Sequence, residues 1–431
     1  MTITNIISAI GNNSSIYPLL VRDCCIEAPS KILIARRENS KESQTKANDA
    51  TREKIIDEYA TSAIWLGGIP AVENLADKYI SKKGFNPNVN IKLFGEGKKE
   101  GHSLVQGIEY NIKKFSQYKN KDVQDAVADL IKVRDNKAAY EKLLTKKFAA
   151  ATIIPTLIMG FVLPKLNFAL TKKVKENRTT QPSLNVPTKS FTSLNRTKFT
   201  DFYEKQNKDV VFTGSLTSTI AGLRTVDKMA ISDGGLTVGR VSTSRNKEEG
   251  YANAFRMIGS MILNFVTPVY IAKGLDKLAN KLFKINVNLD PLILDNEEFI
   301  TAIKENKIEL PKSNSPKDLM EFIDSKPDSL FSKFAQKMKK VSYLKSGIRD
   351  PRKFVDMKDL SNFKSEFESF IGSAKMSNNI ENFARKAKYV KCANILANVG
   401  ISSFLLAGVL PAATYKFIKL TTGSYSDPGL K

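Results

Sequence analysis

The sequence has almost no histidine: His102 stands alone in 431 residues. Any site built on an imidazole base would have to use that one residue, and a multi-histidine metal centre is excluded. His102 falls in the glycine-rich stretch GEGKKEGHSLVQG, which reads as a solvated loop. Cysteine is nearly as scarce. Cys24 and Cys25 are adjacent and Cys392 is distant, so the count is odd and the neighbours do not readily pair. This is not a disulfide scaffold, and a reducing compartment is expected. The carboxylates form no dyad, because Glu248-Glu249 and Glu297-Glu298 are adjacent pairs that on a helix do not face one another. No zinc spacing or nucleophile elbow is present. The expectation is therefore a non-enzyme with no catalytic residue, no metal and no cofactor. A secretory signal is lacking too. The first twenty residues carry no charge, but no basic region precedes them and Asn5, Ser8, Asn12 and Asn13 interrupt the apolar run.

What is abundant is positive charge: 67 Lys+Arg against 44 Asp+Glu, a net +23 spread along the chain. Such a surface attracts polyanions, whether nucleic acid, anionic headgroups or acidic proteins. A lysine-rich composition bias gives the same balance without any such partner. With 42 % hydrophobic residues there is enough apolar material for a core, so the chain is not of the disordered class.

Four uncharged apolar segments organise the chain: 59–72, 148–164, 257–272 and 392–415, of 14, 17, 16 and 24 residues. A helix needs about 20 mostly apolar residues to span a hydrocarbon core. The fourth is long enough. The second and third qualify if Lys165 and Arg256 snorkel to the headgroups, and the first is too short. All four contain proline (Pro70, Pro155 with Pro164, Pro268, Pro411), which membrane helices tolerate better than soluble ones. Kinked helices buried in a soluble core are the competing reading. Lysines flank the last three segments on both sides, so the positive-inside rule gives no orientation. No acidic residue interrupts the segments, which disfavours an ion-driven transporter.

The segments recur as pairs. Pro70 and Pro268 are 198 positions apart, and so are the triplets Asn88-Val89-Asn90 and Asn286-Val287-Asn288. MGFVLPKLNFALTKK around Pro164 matches AGVLPAATYKFIKLTTG around Pro411, at a separation of 247. The sequence thus predicts an all-α protein with two related helical halves, each with two apolar proline-containing helices flanking a polar helical insert. Residues 1–50 read as an N-terminal segment and linker, 51–175 as half 1, and 176–249 as a basic, hydroxyl- and glycine-rich connector. Residues 250–422 read as half 2, with an extra insert near 295–350, and 423–431 as a tail.

Three stretches invite a functional reading. SDGGLTVGRVSTSR has the G-x4-G spacing of a phosphate loop, but Arg240 and Val241 stand where lysine and a magnesium-binding hydroxyl are needed. It reads instead as a flexible loop whose Arg224, Arg240 and Arg245 touch anions. FSKFAQKMKKVSYLKSGI, 331–348, sets Phe331, Phe334, Met338, Val341, Leu344 and Ile348 at helical spacing among Lys333, Lys337, Lys339, Lys340 and Lys345. That is the pattern of a basic amphipathic helix on anionic lipid, and equally of a helix packing on its own domain. NRTKFTDFYEKQNK, 195–208, interleaves basic and aromatic residues as single-stranded nucleic-acid binders do. The sequence therefore predicts a membrane-associated helical structural or interaction protein whose basic flanks contact anionic lipid. It faces a reducing intracellular compartment and is not secreted. The alternatives are a transporter or channel component built from tandem helical repeats, and a soluble basic nucleic-acid-binding protein.

Overall fold

The computed structural model describes residues 3–11, 20–95, 105–179, 225–283 and 289–430. His102, Arg224, the 195–208 stretch and the triplet at 286–288 lie outside the described residues.

Proline lacks an amide hydrogen, and its ring collides with the carbonyl four residues back, so proline inside a helix needs a local remedy. Six prolines in the long helices share one. A wide turn with i→i+5 bonding ends just before the residue that precedes each proline: Val21–Glu27 before Pro29, Ile64–Gly68 before Pro70, Ala149–Ile153 before Pro155, Ile158–Val162 before Pro164, Ile262–Val266 before Pro268 and Leu405–Val409 before Pro411. The extra residue per turn draws the clashing carbonyl away, and the helix continues.

The chain is consequently all helical, with no strand among the described residues. Helix α1 is Ile3–Gly11, α2 runs 21–40 and α3 runs 44–82. A 3-10 turn, Ile91–Phe94, leads to α4 (Ile108–Phe115), α5 (Lys121–Asp135) and the long α6 (Lys137–Arg178). Then come α7 (Thr225–Ser242) and α8 (Lys247–Phe283). The short helices α9 (Pro291–Leu294), α10 (Glu297–Lys304), α11 (Pro316–Ser325) and α12 (Leu330–Lys337) lead to α13 (Met357–Lys375) and α14 (Ile380–Thr422).

The long helices form two antiparallel pairs, the body of the molecule. On α3 and α6, Glu53 O accepts from Asn167 Nδ2 at 2.8 Å, and Lys147 Nζ lies 2.5 Å from Asp77. On α8 and α14, Phe255 stacks on Phe417, and Asn394 Nδ2 donates to Asp276 at 3.0 Å. The α3–α6 and α8–α14 connections meet at one end and form a polar head. Its two parts are tied backbone to side chain: Gln106 bonds both the N–H and the carbonyl of Val355, and Asn111 donates to Pro351 O at 2.9 Å. Arg349, 1 % exposed, joins Asp324 at 2.6 Å and lies over the Phe115 ring. The largest core sits in the second connection, where Phe299, Phe331, Phe363, Phe367 and Phe370 pack largely edge to face.

Three local expectations change. The polar stretch at 38–51 is not a linker: α2 ends at Ser40, and α3 starts at Gln44 after Ser43 accepts from Lys46 N at 3.1 Å. SDGGLTVGRVS is not a loop; it lies in α7. The 331–348 helix ends at Lys337, because Lys339 turns left-handed (φ 58°) and a Tyr343–Arg349 bridge follows. Its apolar stripe faces the head core, with Phe331, Phe334 and Val341 buried, which is the packing alternative to shallow membrane insertion.

Candidate functional site: a charged cavity between the long helices

On α3, Lys54, Asp57, Glu58, Thr61 and Trp65 recur at three- and four-residue steps and so share one face. On α8, Arg256, Ser260 and Asn264 do the same through the middle of an apolar run. Helix α7 brings Asp233 and Arg240. It comes close because its Gly235-x-x-x-Gly239 face meets Thr156 and Gly160 of α6. A Cβ on Gly239 would stand 2.8 Å from Gly160 Cα, and one on Gly235 2.8 Å from Thr156 Cγ2. Thr156 and Ser232 share a hydrogen bond at this crossing. Helix α2 adds Lys31, and Asp427 folds back from beyond α14.

These faces enclose a cavity of about 170 Å³. Its wall carries four cations (Lys31, Lys54, Arg240, Arg256) and four carboxylates (Asp57, Glu58, Asp233, Asp427). Arg240 grips Asp57 with two nitrogens, both at 2.7 Å, and reaches Thr61 at 3.1 Å. Lys31 lies 3.2 Å and Lys54 2.9 Å from Glu58. Asp427 accepts from Tyr415 at 2.8 Å and Asn39 at 3.1 Å. A smaller cavity of about 80 Å³ adjoins it toward the end opposite the head. Beside it Arg245 forms a fork to Glu53 (2.8 and 3.0 Å), meets Glu249 at 2.7 Å and stacks on Phe168. Its two carboxylates hold the Arg245 guanidinium above its ordinary range in spite of burial.

Removing ions from water costs several kcal/mol each even after relaxation, and good pairing only roughly offsets it. A network this size is therefore a functional candidate before it is a stabilising one. Sequence reasoning missed it. Asp57 and Glu58 immediately precede an apolar run, Asp233 sat in a presumed loop, and Arg256 was expected to snorkel outward but lines the cavity. The available signal was the Arg256-Ser260-Asn264 stripe, polar at four-residue spacing within apolar sequence.

Of the anion-contact residues expected from sequence, Arg240 and Arg245 come together here, both held in ion pairs. Lys333, Lys337, Lys339 and Lys345 are exposed on the head, and Lys340 pairs with Asp359 at 2.8 Å. No group of histidine, cysteine, aspartate and glutamate suited to a metal occurs among the described residues. Comparison with protein-family models, curated proteins and solved structures finds no match to this chain.

Three helices, α6, α8 and α14, are long and apolar enough to cross a membrane. In the most apolar 18-residue window of each, only 39 %, 0 % and 28 % is buried. Ile154, Leu157, Ile258, Ile262, Val266 and Phe404 all point outward.

Proposed function

We propose that this is a membrane-embedded helical protein whose body contacts acyl chains and whose lysine-rich helix ends contact anionic headgroups. The observation that carries the reading is the outward-facing apolar belt at the middle of the long helices. Water would make such a surface costly at roughly 25 cal/mol per Å², and soluble monomers rarely expose so large a patch. Exposed lysines border the belt at both ends: Lys142, Lys146, Lys273 and Lys277 toward the head, Lys172, Lys173, Lys416 and Lys419 at the other end. Each contributes about 1 kcal/mol beside an anionic leaflet. The two helix pairs support a duplicated unit. Lys147 pairs with Asp77 in one and Asn394 hydrogen-bonds Asp276 in the other; Lys147 and Asn394 are separated by the 247 positions that separate Pro164 and Pro411, and Asp77 and Asp276 by 199, one more than Pro70 and Pro268. The full-length protein is expected to stay in the membrane pellet after alkaline carbonate washing. Complete release to the supernatant overturns the reading.

A second reading, a component that passes a small solute between broken helices, is favoured by the charged cavity. Proline-interrupted helices lining an internal polar site are how many transporters expose backbone and charge without meeting lipid.

A further inference from the structure

Thr156 sits in the middle of the apolar segment of α6, between the outward-facing Ile154 and Leu157. Ser232 of α7 shares a hydrogen bond with it, and a Cβ on Gly235 would stand 2.8 Å from its Cγ2. Asp233, between these two residues of α7, is therefore level with the apolar belt. It is half-buried and lines the cavity. Among the described residues its carboxylate makes no hydrogen bond and has no cation within 4.0 Å. The other three carboxylates of the wall are occupied. Arg240 grips Asp57, Lys31 and Lys54 flank Glu58, and Asp427 accepts from Tyr415 and Asn39. The groups around Asp233 come from every helix of the site. The adjoining stretch of α6, 148–164, has no titratable residue. Helix α8 brings Arg256, which Asp427, Asp57 and Glu58 compensate across the cavity. Helix α3 brings Lys54, Asp57 and Glu58, α2 brings Lys31, and Tyr415 and Asp427 come from α14 and the segment beyond it. On α7 itself Arg240 is two turns away, about 10 Å at 1.5 Å per residue. Each cation of the wall thus already serves another carboxylate.

We propose that Asp233 is a proton-binding site that titrates near neutral pH. An ionised carboxylate in this position bears the cost of leaving water and regains none of it by pairing. The neutral acid escapes that cost, so burial without a partner favours protonation. Because Asp233 lines the cavity, a hydronium ion can reach it. The carboxylate takes the proton, –CO₂⁻ + H₃O⁺ giving –CO₂H + H₂O, and returns it to water as the pH rises. Uptake removes one negative charge from the wall, on the same helix that holds Arg240 against Asp57. An ionisable side chain at the depth of a hydrocarbon core is a functional candidate by default. The apolar segments contain no acid of their own, and α7 supplies one beside them. The inference rests on the second reading above, for which it names the coupling ion.

The full chain, purified in detergent with ¹³C in its aspartate carboxyl groups, is followed by infrared spectroscopy as the pH is raised. At about pH 6 an ordinary aspartate, which titrates near about 3.9, is ionised, so a protonated carboxyl band at the isotope-shifted position reports an aspartate of this kind. The expected result is such a band that fades with a midpoint of about 6–8 and is lost in Asp233→Asn. Asp233→Glu should restore a titrating band, now at the unlabelled position. No isotope-shifted band in the wild type overturns the site without reference to any variant, which keeps the test informative if a variant misfolds. A band that survives unchanged in Asp233→Asn overturns it as well. Acid entry into proteoliposomes loaded with a pH-sensitive dye is measured on the same preparation. A band without acid entry leaves the site standing and removes the transport reading. Absence of the band in a protein that survives carbonate washing removes the site and leaves the lipid reading intact.

Discussion

The head and the body use the same side chains in opposite senses. In the head, Phe331 and Phe367 are fully enclosed while Lys333, Lys337, Lys339 and Lys345 face outward. In the body, Phe404 is 66 % exposed, whereas Lys54, Asp57 and Glu58 of α3, Asp233 and Arg240 of α7 and Arg256 of α8 line a shared cavity. The head is organised for water on its outside. On the reading proposed above, the body is organised for a surrounding that is itself apolar, with polarity kept where helices can pair it. On that reading one chain carries patterning for two solvents, and the boundary falls at the ends of the long helices.

The sharpest way to break this contrast is to make one substitution on both sides of it. Phe367→Ala removes a ring from the middle of the head's aromatic cluster, where Phe299, Phe331 and Phe363 all touch it. It is expected to cost about 3–5 kcal/mol, with a cavity left behind. Phe404→Ala removes an outward-facing ring and is expected to change stability by less than about 0.5 kcal/mol. Thermal melts followed by circular dichroism in detergent read both. Equal losses would mean that Phe404 is covered by protein, and the comparison of head with body would fail.

A second contrast sits within one helix. Gly239 of α7 lies against Gly160, so Gly239→Ala forces the helices apart and should cost about 1–3 kcal/mol. Gly234, five residues earlier on the same helix, has open space where its Cβ would be. Gly234→Ala should stabilise by about 0.5–1 kcal/mol through helix propensity alone. The same melts separate them. If Gly234→Ala is the more damaging of the two, the close crossing is not what places Asp233 and Arg240.

These contrasts also mark what the sequence could and could not reveal. Uncharged run length and proline were enough to find the long helices, because both act locally. The all-α class followed from them. Apart from the Arg256-Ser260-Asn264 stripe and the local Lys54–Glu58 pair, the charge cluster was illegible, because most of its pairs join distant positions: Arg240 and Asp57 are 183 residues apart. Composition also misled at two places. The polar 38–51 stretch looks like a linker because a helix facing a charged interior needs the same residues as a solvated turn. The stretch with Gly234, Gly235 and Gly239 looks like a flexible loop because glycine serves a free turn and a close helix crossing alike. At 331–348 the apolar spacing marks Phe331, Phe334 and Val341, which are buried, and Met338, Leu344 and Ile348, which are half-buried, but periodicity alone does not say whether protein or lipid covers them.

The smallest expected effect lies at the end of the body away from the head, where the segment after α14 folds back over the turn between α2 and α3. Glu42 is the anchor. Its carboxylate accepts from the Ser424 hydroxyl, from Tyr425 N at 2.8 Å and from Ser426 N at 3.1 Å, and Lys46 lies 2.9 Å away. The Ser424 hydrogen bond, followed by Lys46, lowers its pKa from the ordinary 4.5 to about 2. Because the folded value is the lower one, the anchoring is complete above pH 4.5 and is lost as pH falls through about 2. Backbone exchange at 423–427, measured by mass spectrometry with correction for intrinsic rates, should therefore accelerate between those values while α13 in the head stays protected. Glu42→Gln keeps the size and an acceptor oxygen but drops the charge. It should show the faster exchange already at neutral pH and should flatten the acid dependence. If the wild-type segment keeps its protection down to pH 2, its docking rests on Asn39, Tyr415 and Asp427 instead, and the end of the body is held by buried polar contacts and not by this exposed carboxylate.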